Sequence, residues 1–132
     1  MPLPLHLITG LWGEALAADY LRKHGWRILA RRLRLDARDE IDLLARDGQS
    51  LVFVEVKTRR TDEFGSPIRA VDRRKRHALC RAALRYMRRL AEPPAAFRFD
   101  VVEVIGRPLV PGPRIRHIEN AFPLERRYFT VP

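Results

Sequence analysis

The sequence predicts an α/β domain, a central mixed β-sheet flanked by two helices, on three observations. First, two short runs have strand composition: Asp39-Glu40-Ile41-Asp42-Leu43-Leu44-Ala45 and Leu51-Val52-Phe53-Val54-Glu55-Val56-Lys57. Both are apolar and β-branched, and Asp47-Gly48 between them suggests an antiparallel hairpin. Second, apolar residues recur at helical spacing over 9–24 and again from Ser66 to about Leu90. Third, 132 residues and 15.4 kDa suit one domain, 1–132, with one core, and a hydrophobic content of 46% is ordinary for a globular chain.

Taken in order, the first helix has Thr9 as its N-cap and Gly25 as its left-handed stop. Leu11, Glu14, Ala15, Ala18 and Leu21 form its buried stripe. A first strand is expected over 26–35, then a polar turn at Asp36 to Arg38, then the hairpin strands 39–46 and 50–58. The polar stretch after Lys57 has no regular period. It leads to Ser66 as N-cap and Pro67 in the first helical turn of the second helix. Ile68, Val71, Leu79, Ala82, Tyr86 and Leu90 make the inner stripe of that helix. Glu92-Pro93-Pro94 breaks it. Phe97 to Ile105 is a further strand, with Asp100 read as a structural hydrogen-bonding acid. Gly106 to Pro113 is a loop, Arg114 to Ile118 a short edge strand, and Asn120 to Pro132 a tail packing Phe122 and Phe129.

The charge balance is far from neutral. Twenty-six Lys and Arg face 16 Asp and Glu, giving a formal net charge of +10 and a pI near 11.1. A polyanionic partner is expected, nucleic acid before an anionic membrane surface. No apolar run approaches the roughly 18 residues of a membrane span. Met1 to Ile8 does not read as a signal peptide. The single cysteine, Cys80, cannot form an internal disulfide, so a reducing, cytoplasmic setting is expected. The second helix carries Arg69, Arg73, Arg74, Arg76, Arg81, Arg85, Arg88 and Arg89 on its outer face, with Asp72 the only acid. A solvated face normally mixes signs, so this one points toward phosphate contact. His77 and Cys80 match no metal-ligand spacing, and His6, His24 and His117 are isolated.

Asp42 lies inside an apolar run, and Glu55 and Lys57 end another. Ionised groups are rarely buried unless paired or bound to metal. Alternation puts Glu55 and Lys57 on one face of their strand, with Leu51 and Phe53, and Asp42 can meet Glu55 across the hairpin. One reading is an ion pair between Glu55 and Lys57 at a strand end. The other is a hard divalent cation held between Asp42 and Glu55, because two close carboxylates repel without one. Asp42 within a second apolar run favours the metal. Glu14, read alone, is a first-turn acid placed for the helix dipole. Its alternative is to reach over the sheet and add an oxygen to the site. Lys75, on the inner stripe, either points toward the site or snorkels.

Several blocks in order carry a resemblance. They are Gly13-Glu14, Glu40-Ile41-Asp42-Leu43, Val52-Phe53-Val54-Glu55-Val56-Lys57-Thr58-Arg59, Phe64-Gly65-Ser66-Pro67, Ala70-Val71, Lys75, Arg98-Phe99-Asp100-Val101-Val102 and Asn120-Ala121-Phe122. Together they resemble the YraN-like family of small bacterial proteins, over most of the chain. The family usually has Gly where this chain has Asp39, an extra acid that either crowds the site or points outward.

The resemblance implies a restriction-endonuclease-like fold, whose signature is an Asp followed by Glu-x-Lys on adjacent strands. It implies that Asp42, Glu55 and the backbone carbonyl of Val56 bind Mg2+ or Mn2+. Lys57 would orient or help deprotonate the attacking water, and Glu14 would complete the site. Arg59, Arg60, Arg69, Arg73, Arg74, Lys75 and Arg76 would grip phosphates. The implied function is metal-dependent hydrolysis of DNA phosphodiester bonds, including branched or recombination intermediates, for which a two-fold assembly would be suited. The alternatives are a non-catalytic nucleic-acid-binding protein that retains the fold, and an adaptor whose basic face meets an acidic protein.

Overall fold

A computed structural model of the protein describes residues 2–61 and 71–126. The elements are α1 (Leu5–Lys23), β1 (Arg27–Arg34), β2 (Glu40–Asp47), β3 (Ser50–Arg59), α2 (Arg73–Met87), β4 (Ala96–Ile105) and β5 (Arg114–Phe122). They build one five-stranded sheet in the order β1-β2-β3-β4-β5. The sheet is mixed: β3 and β4 run parallel, and the other three pairings are antiparallel. A parallel pair needs a crossover, and α2 lies in it. The α/β class and the flanking helices are therefore as the sequence predicts.

Each helix buries one face of the sheet. On one side Leu44, Leu51, Phe53, Phe99 and Val101 meet Val71, Leu79, Cys80, Ala82 and Ala83 from α2 and the residues before it. On the other, Leu43, Ala45, Val52, Val54, Val102 and Val104 meet Ala17, Ala18 and Leu21 of α1. Consecutive residues of β3 thus belong to opposite clusters, which is why its sequence is apolar without alternation.

Element ends correct several expectations. The first helix begins at Leu5, a turn before Thr9: the Pro4 carbonyl accepts from Leu7 N–H at 3.0 Å and Ile8 N–H at 3.1 Å. Proline's fixed φ suits a helix entry, so Thr9 lies inside the helix. Its other end is as expected. Gly25 has φ +87°, its N–H donates to Arg22 O at 2.9 Å, and Trp26 N–H donates to Leu21 O at 3.1 Å. This crossed pair closes the last turn and seats Trp26 beside Leu21 in the core.

The second helix is shorter than its sequence pattern. Ser66, Pro67, Ile68 and Arg69 lie outside the described residues. Asp72 has an extended backbone (φ −71°, ψ 175°), and its carboxylate accepts from Lys75 N–H at 2.9 Å, so α2 starts at Arg73 and ends at Met87 rather than Leu90. The one acid in the arginine run is thus the N-cap. The last strand is longer than expected: residues up to Phe122, read as tail, complete β5 against β4. Phe122 is buried and stacks on Phe99 at 5.0 Å. Phe129 lies outside the described residues.

Candidate functional site

The site sits where the sheet forks. β2 pairs with β3 from Asp47↔Ser50 to Leu43↔Val54. Beyond that point β2 stays with β1 as far as Arg34↔Glu40, while β3 continues beside β4 to Arg59↔Ile105. Backbone groups at a fork lose their ladder partners and must find others. Val56 N–H finds one in Asp42 Oδ2, which accepts its proton at 2.9 Å. In an extended strand a residue's N–H and C=O point to the same edge, so the Val56 carbonyl is turned toward Asp42 as well.

One further step of the antiparallel register sets Asp42 opposite Glu55. Each of the two carboxyls is close enough to shift the ionisation of the other. Glu55 is 3% exposed. Lys57 Nζ stands 3.6 Å from its Oε1 and Lys75 Nζ, reaching in from α2, stands 3.6 Å from its Oε2. Both lysines are partly exposed and neither donates a hydrogen bond to Glu55 Oε2, which is buried without a hydrogen-bond partner. Burial pushes the Glu55 carboxyl up to about 8, and the Asp42 charge adds to this against the opposing pull of Lys75 and Lys57. Burial also raises Asp42, opposed first by the Val56 N–H bond. Two lysines match the formal charge of the two carboxylates, so burial, not a shortage of positive charge, is what keeps a proton on the pair.

Glu14 projects from α1 beside this dyad. It is 8% exposed, its Oε1 lies 3.8 Å from Arg32 Nε, and its Oε2 has no hydrogen-bond partner. Burial raises its carboxyl, and Asp42 is the next largest cause. Among the described residues, however, no three His, Cys, Asp or Glu side chains converge as a metal-holding group. The dyad is the centre, and Glu14 stands at its margin, shared with Arg32. Asp39 does not crowd it. Arg81 Nε and Nη2 clamp Asp39 at 2.7 and 2.5 Å, which holds its carboxyl below the usual range and fastens α2 to the β1–β2 turn.

The basic residues divide into two groups. Arg76 Nε donates to the Val71 carbonyl at 2.9 Å, and Arg59 Nε lies 3.1 Å from Glu103 Oε2. Arg81 and Arg85 hold Asp39 and Asp36. These arginines have partners inside the protein. Arg60, Arg73 and Arg74 are exposed, and Arg69 lies outside the described residues. The unmixed charge of the α2 face thus has its acids on the β1–β2 turn, out of sight in a helix-by-helix reading.

Two more buried acids lie in β4. Asp100 accepts from Arg98 Nε at 3.0 Å and Asn120 N–H at 2.9 Å, and its Oδ2 lies 2.8 Å from His117 Nε2, the structural role expected of it. Glu103, fully buried between Arg59 and Arg116, was not singled out by sequence reasoning. Its only signal was an acid within the apolar run Val101-Val102-Glu103-Val104-Ile105.

A model of the family described as "Uncharacterised protein family UPF0102" matches residues 13–104. The chain belongs to this family. It is the YraN-like family to which the ordered blocks point. The UPF0102 protein of Symbiobacterium thermophilum is 49% identical over 118 residues, covering 86% of this chain and 95% of that one. The UPF0102 protein of Geobacter sulfurreducens is 46% identical over 118 residues, covering 89% and 90%. That of Geobacter metallireducens is 42% identical over 115 residues, covering 87% and 92%. Glu14, Asp42, Glu55, Lys57 and Lys75 all fall inside the UPF0102 match. The described residues contain no helix long and apolar enough to cross a membrane.

Proposed function

We propose that this UPF0102 protein is a divalent-metal-dependent nuclease that hydrolyses DNA phosphodiester bonds, with branched or recombination intermediates as its substrates. The observation that carries the reading is the Asp42–Glu55 dyad at the fork of β2 and β3, with Lys57 at its rim. A buried carboxyl raised to about 8 beside a second carboxyl is a poor structural element and a good cation site. Oxygen donors suit a hard cation, and Glu55 Oε2, which has no hydrogen-bond partner, together with the inward-turned Val56 carbonyl fits that donor chemistry.

Asp42, Glu55 and the Val56 carbonyl would hold Mg2+ or Mn2+. When bound, the ion supplies charge that polarises the phosphodiester and eases deprotonation of the attacking water. Lys57, on the same face as Glu55, would hold that water in line and set its ammonium against the charge developing on the phosphate. Glu14 would accept from the water shell on the α1 side. Lys75 would release Glu55 and turn to a substrate phosphate. Arg73, Arg74 and Arg60 would contact the backbone without reading bases.

One observation favours the second reading, a nucleic-acid-binding protein without turnover. Lys57 and Lys75 already flank both oxygens of Glu55, which supplies part of the compensation a cation would give. Cleavage of linear, nicked, flapped and four-way DNA across a Mg2+ and Mn2+ titration separates the two. The nuclease cuts, and Asp42→Asn or Lys57→Ala abolishes cutting while binding is retained. If no substrate is cut at any metal concentration and binding is unaffected by metal, the binding module is the right reading.

A further inference from the structure

On the α1 side of the sheet, next to the fork, a groove of about 940 Å³ runs between the first turns of α1, the end of β3 and the β4–β5 turn. Val56 links it to the dyad: its backbone closes the fork while its side chain lines the groove with that of Thr58. No acidic residue lines the groove, but Arg59, Arg60 and Arg107 do. Arg60 and Arg107 are exposed, and among the described residues neither side chain has an acidic partner. Arg59 Nη1 is buried and lacks a hydrogen-bond partner, although its Nε faces Glu103. The same groove carries an apolar rim. Leu5 and Ile8 are 67% and 40% exposed, and Leu109 is fully exposed in a left-handed backbone conformation (φ 67°). A bulky apolar side chain held out at the rim of a basic groove gains by being covered.

We infer that this groove binds a single-stranded segment of nucleic acid leading away from the candidate metal centre. The inference rests on the nuclease reading only for placing nucleic acid at this surface. The exposed guanidinium groups of Arg60 and Arg107 along one wall match a phosphate backbone. Apolar side chains at the rim match base faces, which every nucleotide presents whatever its sequence. A duplex keeps its base faces stacked inside, whereas a single strand leaves them free to meet such a rim. A duplex would rest on Arg73 and Arg74 at the start of α2, across the fork, and its unpaired arm would pass into the groove. The substrate class is therefore a junction between duplex and single strand.

The test reads binding in EDTA, so metal and turnover do not enter. Fluorescence anisotropy of the full chain is measured on a single strand, a blunt duplex and a flapped duplex, for wild type, Arg107→Glu and Leu109→Ser, with thermal unfolding confirming that each variant is folded. Wild type is expected to prefer the flap and the single strand over the blunt duplex. Arg107→Glu should weaken both roughly tenfold and lower the slope of log K against log salt by about one, with blunt-duplex affinity changed less than about twofold. Leu109→Ser should weaken them with little change in salt slope. Equal loss on all three DNAs, no loss on any, or tighter binding of an apolar acidic peptide of matched charge would each overturn the inference. Such a result would leave metal-dependent cutting untouched. Conversely, absence of cutting in the metal titration would leave a flap preference in EDTA standing.

Discussion

Taking the Glu55 carboxyl out of water costs more than Lys75 and Lys57 return, and Asp42 adds to the cost, so folded Glu55 holds its proton up to about 8 against an ordinary 4.5. The folded chain therefore binds more protons than the unfolded chain between those values, and stability falls as pH rises through that window. Metal-free protein should show a falling Tm from pH 5 to pH 8 in thermal unfolding. Glu55→Gln should flatten that dependence and raise stability at pH 8 by about 1–2 kcal/mol, the usual sign when a strained functional group is relieved. Unchanged pH dependence in Glu55→Gln would place the strain elsewhere. At this scale the sequence was readable where partners are local in the sheet. Alternation along Leu51-Val52-Phe53-Val54-Glu55-Val56-Lys57 and a short hairpin are enough to bring Asp42 to Glu55. Asp39 was not readable, because its partner Arg81 lies 42 residues away on another element. Nor was Glu14, whose contact with Arg32 depends on where α1 settles.

The position of α1 over the fork depends on Gly13. A Cβ there would overlap Thr58 Oγ1 and come within 3.3 Å of Thr58 Cβ, so α1 can approach β3 only with glycine at this position. Gly13→Ala should destabilise the protein by about 1–3 kcal/mol, as overpacking does, and shift Glu14 from the dyad. Thr58→Ala removes the overlapping hydroxyl, so the double variant should recover part of that loss in a urea-unfolding cycle. Full additivity of the two changes would mean that this contact does not set the helix. Element boundaries show the same dependence on what lies beyond the local pattern. Gly25 stops α1 by its own backbone, which any sequence reading can find. Asp72 caps α2 within a run that reads as continuous helix, and its extended backbone sets the helix start at Arg73. β5 continues to Phe122 because Phe99 offers a stacking surface, which the sequence of β5 alone does not state.

Across the whole molecule, an excess of ten positive charges is distributed unevenly. The core of the α2 face uses Arg81, Arg85 and Arg76 to hold turns and strands in place. Arg60, Arg73, Arg74 and Arg107 remain exposed on either side of the fork. Net charge was legible from composition, but which arginines are structural required the fold. The arrangement places two carboxyls and two lysines between two basic surfaces, the layout on which the proposed nuclease reading rests. The most direct measurement is calorimetric titration of the metal-free protein with Mn2+ at pH 7 in buffers of different ionisation enthalpy. One ion per chain is expected, with release of about one proton as the dyad ionises fully, and Asp42→Asn should abolish both. No saturable binding, or binding of equal affinity and proton release in Asp42→Asn, would contradict the account.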